Sequence, residues 1–403
     1  MMENITFPPR IIFDEREKAA ILGVVEKTMT GPEAIDMYGK GPQVTSYEKE
    51  FAEYFGVKYA AAVSSGTAAI HSAVGALRLE PGSEIITTSI TDPGTVAPIL
   101  MQNCIPIFAD VEYETLNLSA RSIEKNITDR TRAIIAVHLA GQPCDMEPIM
   151  EIARNHNLYV IEDCAQAHGA KYKGRYVGTI GDLGVFSLMA GKHMNSGGQG
   201  GMVITNHEEL YWNAKRFSDR GKPFNSEEKT NLLLGLNYRM TELQAAVGRV
   251  QLTKLADIKR KRQWVVEKLR EGMSGLQAFQ LWKFIDDGEV NPWFAFVRFN
   301  QDWMKINKEE AATILAELGL PVGAHYVVPI YNQYWIKNRV TYGNSQYPWT
   351  MPGAREIDYT NCCPSAERAL EDHMTLYLHE GWGEKEINYT VEAYKKVEEE
   401  YSL

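Results

Sequence analysis

The stretch "FSLMAGKHMNSGGQGG" (residues 186–201) decides how this chain is read. An apolar, strand-like run ends at Phe186 and Ser187, and a single primary amine follows at Lys192. Four glycines in five positions come next, Gly197, Gly198, Gly200 and Gly201, interrupted by Gln199. A lysine in a loop is ordinarily a solvated surface charge. A reason to set one between an apolar strand and a glycine-rich loop has to come from the rest of the chain.

Working outward, short apolar runs alternate with helical patterns from about residue 57 to 205. The spacing predicts strands at "VKYAAAV" (57–63), "SEIITTSI" (83–90), "IPIFADV" (105–111), "RAIIAVHLA" (132–140), "LYVIED" (158–163), "LGVFSL" (183–188) and "GMVIT" (201–205). Helices are predicted at 67–79, 146–156 and 207–219. Strands rich in Val, Ile and Ala without polar alternation are buried on both faces, so a mostly parallel sheet between helix layers is expected. A long helical pattern over 241–273 then bridges to a second region. There "PWFAFVRFN" and "GAHYVVPIY" read as strands, and "NKEEAATILAELGL" and "KEINYTVEAYKKVEEEY" as helices. We expect a large domain with the N-terminal segment over 1–255 and a smaller α+β domain over 256–403. At 403 residues, two domains are the natural division.

Composition narrows the function. The net charge is −10, and no basic block or basic helix occurs, which argues against nucleic acid as the main partner. No apolar run approaches the roughly 20 residues of a membrane span. The opening "MMENITFPPRIIFDEREKAA" has no basic region followed by an apolar stretch, so a secretory leader is not expected. The five cysteines, Cys104, Cys144, Cys164, Cys362 and Cys363, form no C-x-x-C and no zinc spacing. Reduced thiols in a cytoplasm fit this pattern.

Three places can carry chemistry. In "AAAVSSGTAAIHSA" a buried strand ends, Ser64, Ser65, Gly66 and Thr67 make the turn, and a helix begins at once. A helix N-terminus offers free N–H groups and the positive end of the dipole, which suits a phosphate. In "LYVIEDCAQAHGA" the carboxylates Glu162 and Asp163 sit at the C-terminal end of an apolar strand, the edge where open α/β sheets bind ligands. Alternation along a strand lets only one of the two face the site. His168 follows as a further candidate, though a lone histidine is more often structural. Lys192 comes 29 positions after Asp163, room for one return through the sheet. A phosphate cradle, a carboxylate and a lysine are the parts that pyridoxal phosphate needs. The lysine forms a Schiff base and moves protons, while the carboxylate keeps the pyridine nitrogen protonated.

In order, "SSGTAAI" (64–70), "VHLAGQPCDM" (137–146), "IEDCAQAHGA" (161–170), "FSLMAGKHMNSGGQGG" (186–201) and "GLNYRMTELQAA" (235–246) resemble the DegT-type sugar aminotransferases. The resemblance covers most of residues 30–260. It implies an α/β fold of the aspartate aminotransferase type (PLP fold type I) and a homodimer with shared active sites. It implies that Lys192 is the Schiff-base lysine, that Asp163 pairs with the pyridinium and that Gln166 meets the ring hydroxyl. Ser65, Gly66, Thr67 and Ser187 would hold the phosphate, helped by Asn237 from the other subunit. The implied reaction moves an amino group from L-glutamate or L-glutamine to a keto group of a nucleotide-linked sugar or a keto-cyclitol.

The chain departs from that family at three places. Asp92 stands where many members carry an aromatic ring that stacks on the cofactor, and Gln199 replaces a common acidic residue. The stretch "MTLYLHEGWGEKEI" (374–387) also differs. Two other readings remain. One is a keto-sugar dehydratase using pyridoxamine phosphate, whose relatives carry histidine in place of the lysine, with His193 adjacent here. The other is a non-catalytic regulatory protein on the same fold.

Overall fold

The computed structural model describes residues 5–31, 35 and 41–403. Its centre is a seven-stranded sheet in the order β1-β9-β8-β5-β4-β2-β3. The strands are β1 (Tyr59–Val63), β2 (Glu84–Thr88), β3 (Ile105–Ala109), β4 (Thr131–Val137), β5 (Tyr159–Asp163), β8 (Leu183–Ser187) and β9 (Gly201–Thr205). Two short strands, β6 (Lys171–Tyr172) and β7 (Arg175–Tyr176), form a hairpin between β5 and β8. The contiguous run β3-β2-β4-β5-β8 pairs in parallel. β9 is antiparallel to both of its neighbours, β8 and β1. The seven predicted strands are therefore these seven, trimmed by one to three residues at seven of their fourteen ends and extended by one at Thr131.

Side chains on both faces of this sheet are buried, as the apolar runs require. Helices α3 (Gly66–Ala76), α4 (Pro93–Met101), α5 (Ala120–Asn126), α6 (Met146–His156) and α7 (Glu208–Phe217) follow individual strands. Before the sheet come α1 (Glu15–Thr30) and α2 (Pro42–Phe55), and both pack on α8 (Glu242–Met273). A capping box starts α8: the Thr241 side chain takes the Gln244 N–H, and the Gln244 side chain takes the Thr241 N–H.

Beyond α8 an antiparallel sheet runs β10-β12-β14-β13, from β10 (Phe279–Leu281), β12 (Ala295–Phe299), β13 (Val322–Gly323) and β14 (His373–Leu376). Strand β11 (Gly288–Glu289) pairs instead with β6. Helices α9 (Lys308–Glu317), α10 (Tyr334–Lys337), α11 (Pro364–Asp372) and α12 (Glu384–Tyr401) complete this part. The expected division between residues 255 and 256 falls inside α8, which also packs on α12 and β10.

One expected element is corrected. "GAHYVVPIY" is not a strand beyond Gly323. Pro329 has no N–H to give a ladder, and the Ile330 N–H goes to the Ser89 carbonyl. The segment leaves the small sheet and crosses to the large one. All five cysteines carry free thiols. No helix among the described residues is long and apolar enough to cross a membrane.

Candidate active site

The sheet delivers its chemistry at the carboxyl ends of β1, β2, β5 and β8. The residues leaving those ends line one cavity of about 280 Å³. Ser65, Gly66, Thr67, Asp163, Gln166, Ser187 and Lys192 all line it, as do Asp92 and Gln199. Seven of the eight cofactor residues expected from sequence thus meet in one place. Asn237 does not line it. It lies exposed on the loop before α8, its Oδ1 accepting from Arg239 Nε at 3.2 Å.

The phosphate side is built by close packing. The Ser65 hydroxyl caps α3 by accepting from the Ala68 N–H at 3.0 Å. The N–H groups of a helix's first turn have no partner within the helix, so those of Gly66 and Thr67 are free to serve an anion at the cavity. Glycine is required here. A Cβ on Gly66 would lie 2.6 Å from Ser187 Cβ, and one on Gly201 would lie 2.2 Å from the Ser65 carbonyl oxygen. The glycine-rich loop therefore lets β9 press against the start of α3.

The carboxylate side obeys the alternation rule. Asp163 is 3% exposed and turns into the cavity. Its Oδ2 accepts from the Thr95 hydroxyl at 2.9 Å and its Oδ1 from the Ala165 N–H at 3.0 Å. Burial pushes its carboxyl up, against the pull of those two donors and of Lys192. Glu162 turns the other way, into the protein, where it accepts from His138 and from three backbone N–H groups.

Lys192 is 8% exposed, and burial pulls its amine down to about 8 against the opposing charges of Asp163 and Asp92. Its Nζ lies 3.5 Å from the centroid of the Trp293 ring. The histidines are not part of this cavity. His193 is fully buried, with Nε2 at 2.9 Å from the Asn291 carbonyl. His168 holds the end of β8 through the Ser187 carbonyl at 2.8 Å. The group that reaches the cavity from this loop is the lysine, not the histidine beside it.

Sequence reasoning missed Thr95, Tyr326 and Trp293. Tyr326 receives a hydrogen bond from Gln166 Nε2 at 3.0 Å, while Gln166 Oε1 accepts from the Ala140 N–H at 2.9 Å. Gln166 is thereby held rigidly at the cavity wall. Thr95 lies in α4, the helix that Asp92 caps, and only packing brings it to Asp163. Nothing local marks Trp293 or Tyr326.

The donor set fits a phosphorylated pyridine aldehyde. Helix N–H groups would take the phosphate, a buried carboxyl would take a cationic ring nitrogen, and an amine of lowered basicity would take the aldehyde. Fold and site together define a pyridoxal-phosphate-dependent aminotransferase of fold type I. The chain belongs to the DegT/DnrJ/EryC1/StrS aminotransferase family, which matches residues 25–395. It is 44% identical to GDP-perosamine synthase of Escherichia coli O157:H7 over 225 residues, 56% of this chain and 61% of that protein. It is 35% identical to dTDP-3-amino-3,6-dideoxy-alpha-D-galactopyranose transaminase of Aneurinibacillus thermoaerophilus, over 73% of this chain and 79% of that one. An aminotransferase structure from Psychrobacter cryohalolentis superposes with a TM-score of 0.84 at 31% identity, covering 97% of this chain and 98% of that chain.

Proposed function

We propose that this enzyme moves the amino group of L-glutamate or L-glutamine to a keto group on a nucleotide-linked sugar or a keto-cyclitol, in the cytoplasm, as a homodimer with shared active sites. The observation that carries the reading is the meeting of Lys192, Asp163 and the N-terminus of α3 in one cavity. Relatives named for GDP- and dTDP-linked sugars support a nucleotide-linked acceptor.

The bound cofactor would supply an electron sink for the Cα–H bond of the donor. The chain's own residues do the rest. Gly66, Thr67, Ser65 and Ser187 hold the phosphate end. Asp163, held by Thr95 and the Ala165 N–H, would pair its carboxylate with the protonated ring nitrogen. Gln166, fixed between Ala140 and Tyr326, meets the ring hydroxyl. Lys192 would hold the aldehyde and, once the donor's amine had displaced it there, its freed amine would be the group placed to take and return the donor's Cα proton. An amine that titrates near 8 is free base in a useful fraction at neutral pH.

Two features support the shared site. Lys192 is the only Lys or Arg among the described residues that line the cavity. A phosphate and a donor carboxylate together bring nearly three negative charges to that one cation and one helix end. The loop that carries Asn237 also presents Leu234 at 90% exposed, with Leu232, Leu236 and Leu243 exposed nearby. Apolar groups clustered in this way are expected to be covered by another surface. We assign that surface to a second copy, with Asn237 of the partner subunit reaching this chain's phosphate end. Asp92 lines the mouth of the cavity, and its Oδ1 is held by the Gly94 N–H at 2.7 Å. We assign Asp92 to a substrate hydroxyl or a cation rather than to the cofactor's face.

The test is a panel of keto-sugar nucleotides and keto-cyclitols mixed with enzyme loaded with pyridoxamine phosphate. Conversion of one nucleotide-linked ketone, together with bleaching of the visible cofactor band by glutamate or glutamine, is expected. Turnover of α-keto acids alone would overturn the sugar assignment.

A further inference from the structure

Arg10 lies in the extended segment ahead of α1 and reaches the loop that carries Lys192. Its Nη1 donates to the Lys192 carbonyl at 2.8 Å and to the Gly191 carbonyl at 3.4 Å, and its Nη2 donates to the His193 carbonyl at 2.8 Å. Its Nε donates to Glu380 Oε1 at 2.8 Å. The other Glu380 oxygen accepts from Arg262 Nε at 2.8 Å. Arg262, 1% exposed in α8, sends Nη1 to the carbonyls of Pro292 at 2.8 Å and Trp293 at 3.0 Å. Trp293 closes the circuit. Its indole N–H donates to the Gly191 carbonyl at 2.8 Å, and its ring lies 3.5 Å from Lys192 Nζ.

A closed ring of hydrogen bonds, charge-assisted at Arg10, Glu380 and Arg262, therefore holds the loop that carries this lysine. It draws on the segment before α1, the loop after β8, α8, the loop before β12 and the segment after β14. Glu380 belongs to the stretch 374–387, which departs from the family pattern and which the chemistry above leaves unused. Arg10 is not an anion site, because its donors are spent on three consecutive carbonyls and one carboxylate. A planar guanidinium can satisfy such a set at once, whereas an ammonium cannot. Lysine is a flexible four-carbon stem, so the place of its amine is decided by its own main chain and by what packs on its end. Arg10 fixes the first and Trp293 the second, and both belong to the same ring.

We propose that Arg10 and Glu380 are positioning residues for Lys192: they hold the main chain of 191–193, and through Trp293 the amine, in the place that proton transfer requires. This rests on Lys192 being the cofactor lysine. Arg10→Ala should lower kcat by about tenfold to a hundredfold with little change in donor KM, because a misplaced group loses rate rather than binding. In cofactor-free protein the Lys192 amine can be titrated directly, by the pH dependence of its trace acetylation with acetic anhydride read by peptide mass spectrometry. Arg10→Ala should move that titration upward from about 8 as water reaches the amine. Added guanidinium should restore part of kcat in Arg10→Ala, and Arg10→Lys should stay impaired. Wild-type kcat with an unmoved amine titration overturns the proposal. If Arg10→Ala does not fold, Arg10→Gln, which keeps one donor toward the loop, carries the same two readouts. Should Lys192→Ala retain turnover, the cofactor assignment fails on its own, and the amine titration still reports whether Arg10 holds the loop.

Discussion

Glu162 and Asp163 are neighbours in β5 and send their carboxyl groups to opposite faces of the sheet. Asp163 meets Thr95 at 2.9 Å at the cavity, and Glu162 meets His138 at 3.0 Å inside the protein. The two should therefore fail differently. Asp163→Asn keeps an oxygen for Thr95 and a side chain of the same size, so the fold should survive. A neutral amide cannot hold a protonated ring nitrogen, and activity should fall by orders of magnitude. Steady-state rates decide it. A loss smaller than about tenfold, roughly 1.4 kcal/mol of barrier, removes Asp163 from its role.

Glu162→Gln should instead cost stability. The carboxylate accepts from His138 and from the N–H groups of Gly178, Ile180 and Gly181 at 2.6–3.0 Å. An amide would turn an NH₂ toward donors. Breaking a buried charged pair on one side costs about 3–5 kcal/mol, to be read by urea unfolding of the cofactor-free protein. Burial pushes this carboxyl up, but His138 and the N–H groups outweigh it and hold the pKa below 4.5. Its contribution is therefore complete above an ordinary glutamate's pKa and is lost as acid titrates the folded form. A change under about 1 kcal/mol would mean that the network is dispensable.

Lys192 carries a cost of the opposite sign. Its folded-state pKa is lowered from 10.5 to about 8 by burial, so below pH 8 the folded protein holds a buried charge that the unfolded chain holds in water. The unfolded state binds more protons between about 8 and 10.5, so stability rises with pH across that window. Lys192→Met removes the group. The variant should be more stable than wild type at pH 7, by up to about 3 kcal/mol at roughly 1.4 kcal/mol per pH unit. The gain should shrink to nothing as pH passes the ordinary lysine value. Paired denaturant curves across the range read this directly, and a difference that does not depend on pH refutes the buried charge.

What the sequence discloses and what it hides follow from range. Lys192, Asp163 and the Ser65–Thr67 turn are each marked by their neighbours: an apolar strand ends and a polar residue or glycine follows. Strand periodicity also says that only one of Glu162 and Asp163 enters the cavity, though not which. Thr95 and Tyr326 act on residues 68 and 160 positions away. Thr95 arrives on the helix that follows β2, and Tyr326 on the segment that crosses from the small sheet, so only tertiary packing brings them there. The run 323–331 misleads because β-branched and aromatic residues suit a strand, yet Pro329 has no N–H and the Ile330 N–H goes to the Ser89 carbonyl, just past the end of β2. The expectation for Asn237 comes only from family resemblance, since in its own chain it looks like part of a capping loop.

That last residue gives the sharpest test. If Asn237 of the partner subunit reaches the cofactor phosphate, Asn237→Asp sets a carboxylate beside nearly two negative charges and should weaken cofactor binding. Lys192→Ala is inactive for a separate reason. The two inactive variants are dissociated, mixed at equal concentration and reassembled. Each hybrid dimer then holds one site with both lesions and one with neither. Random pairing makes about half of the dimers hybrids, so about a quarter of all sites should work, because a symmetric dimer exchanges the same surface in both directions. If Asn237 served its own subunit, every hybrid site would carry one lesion and no activity would return. Recovery near a quarter, with hybrids verified by mass, establishes the shared site. A mixture as silent as its parents returns Asn237 to its own chain and removes the partner from the chemistry.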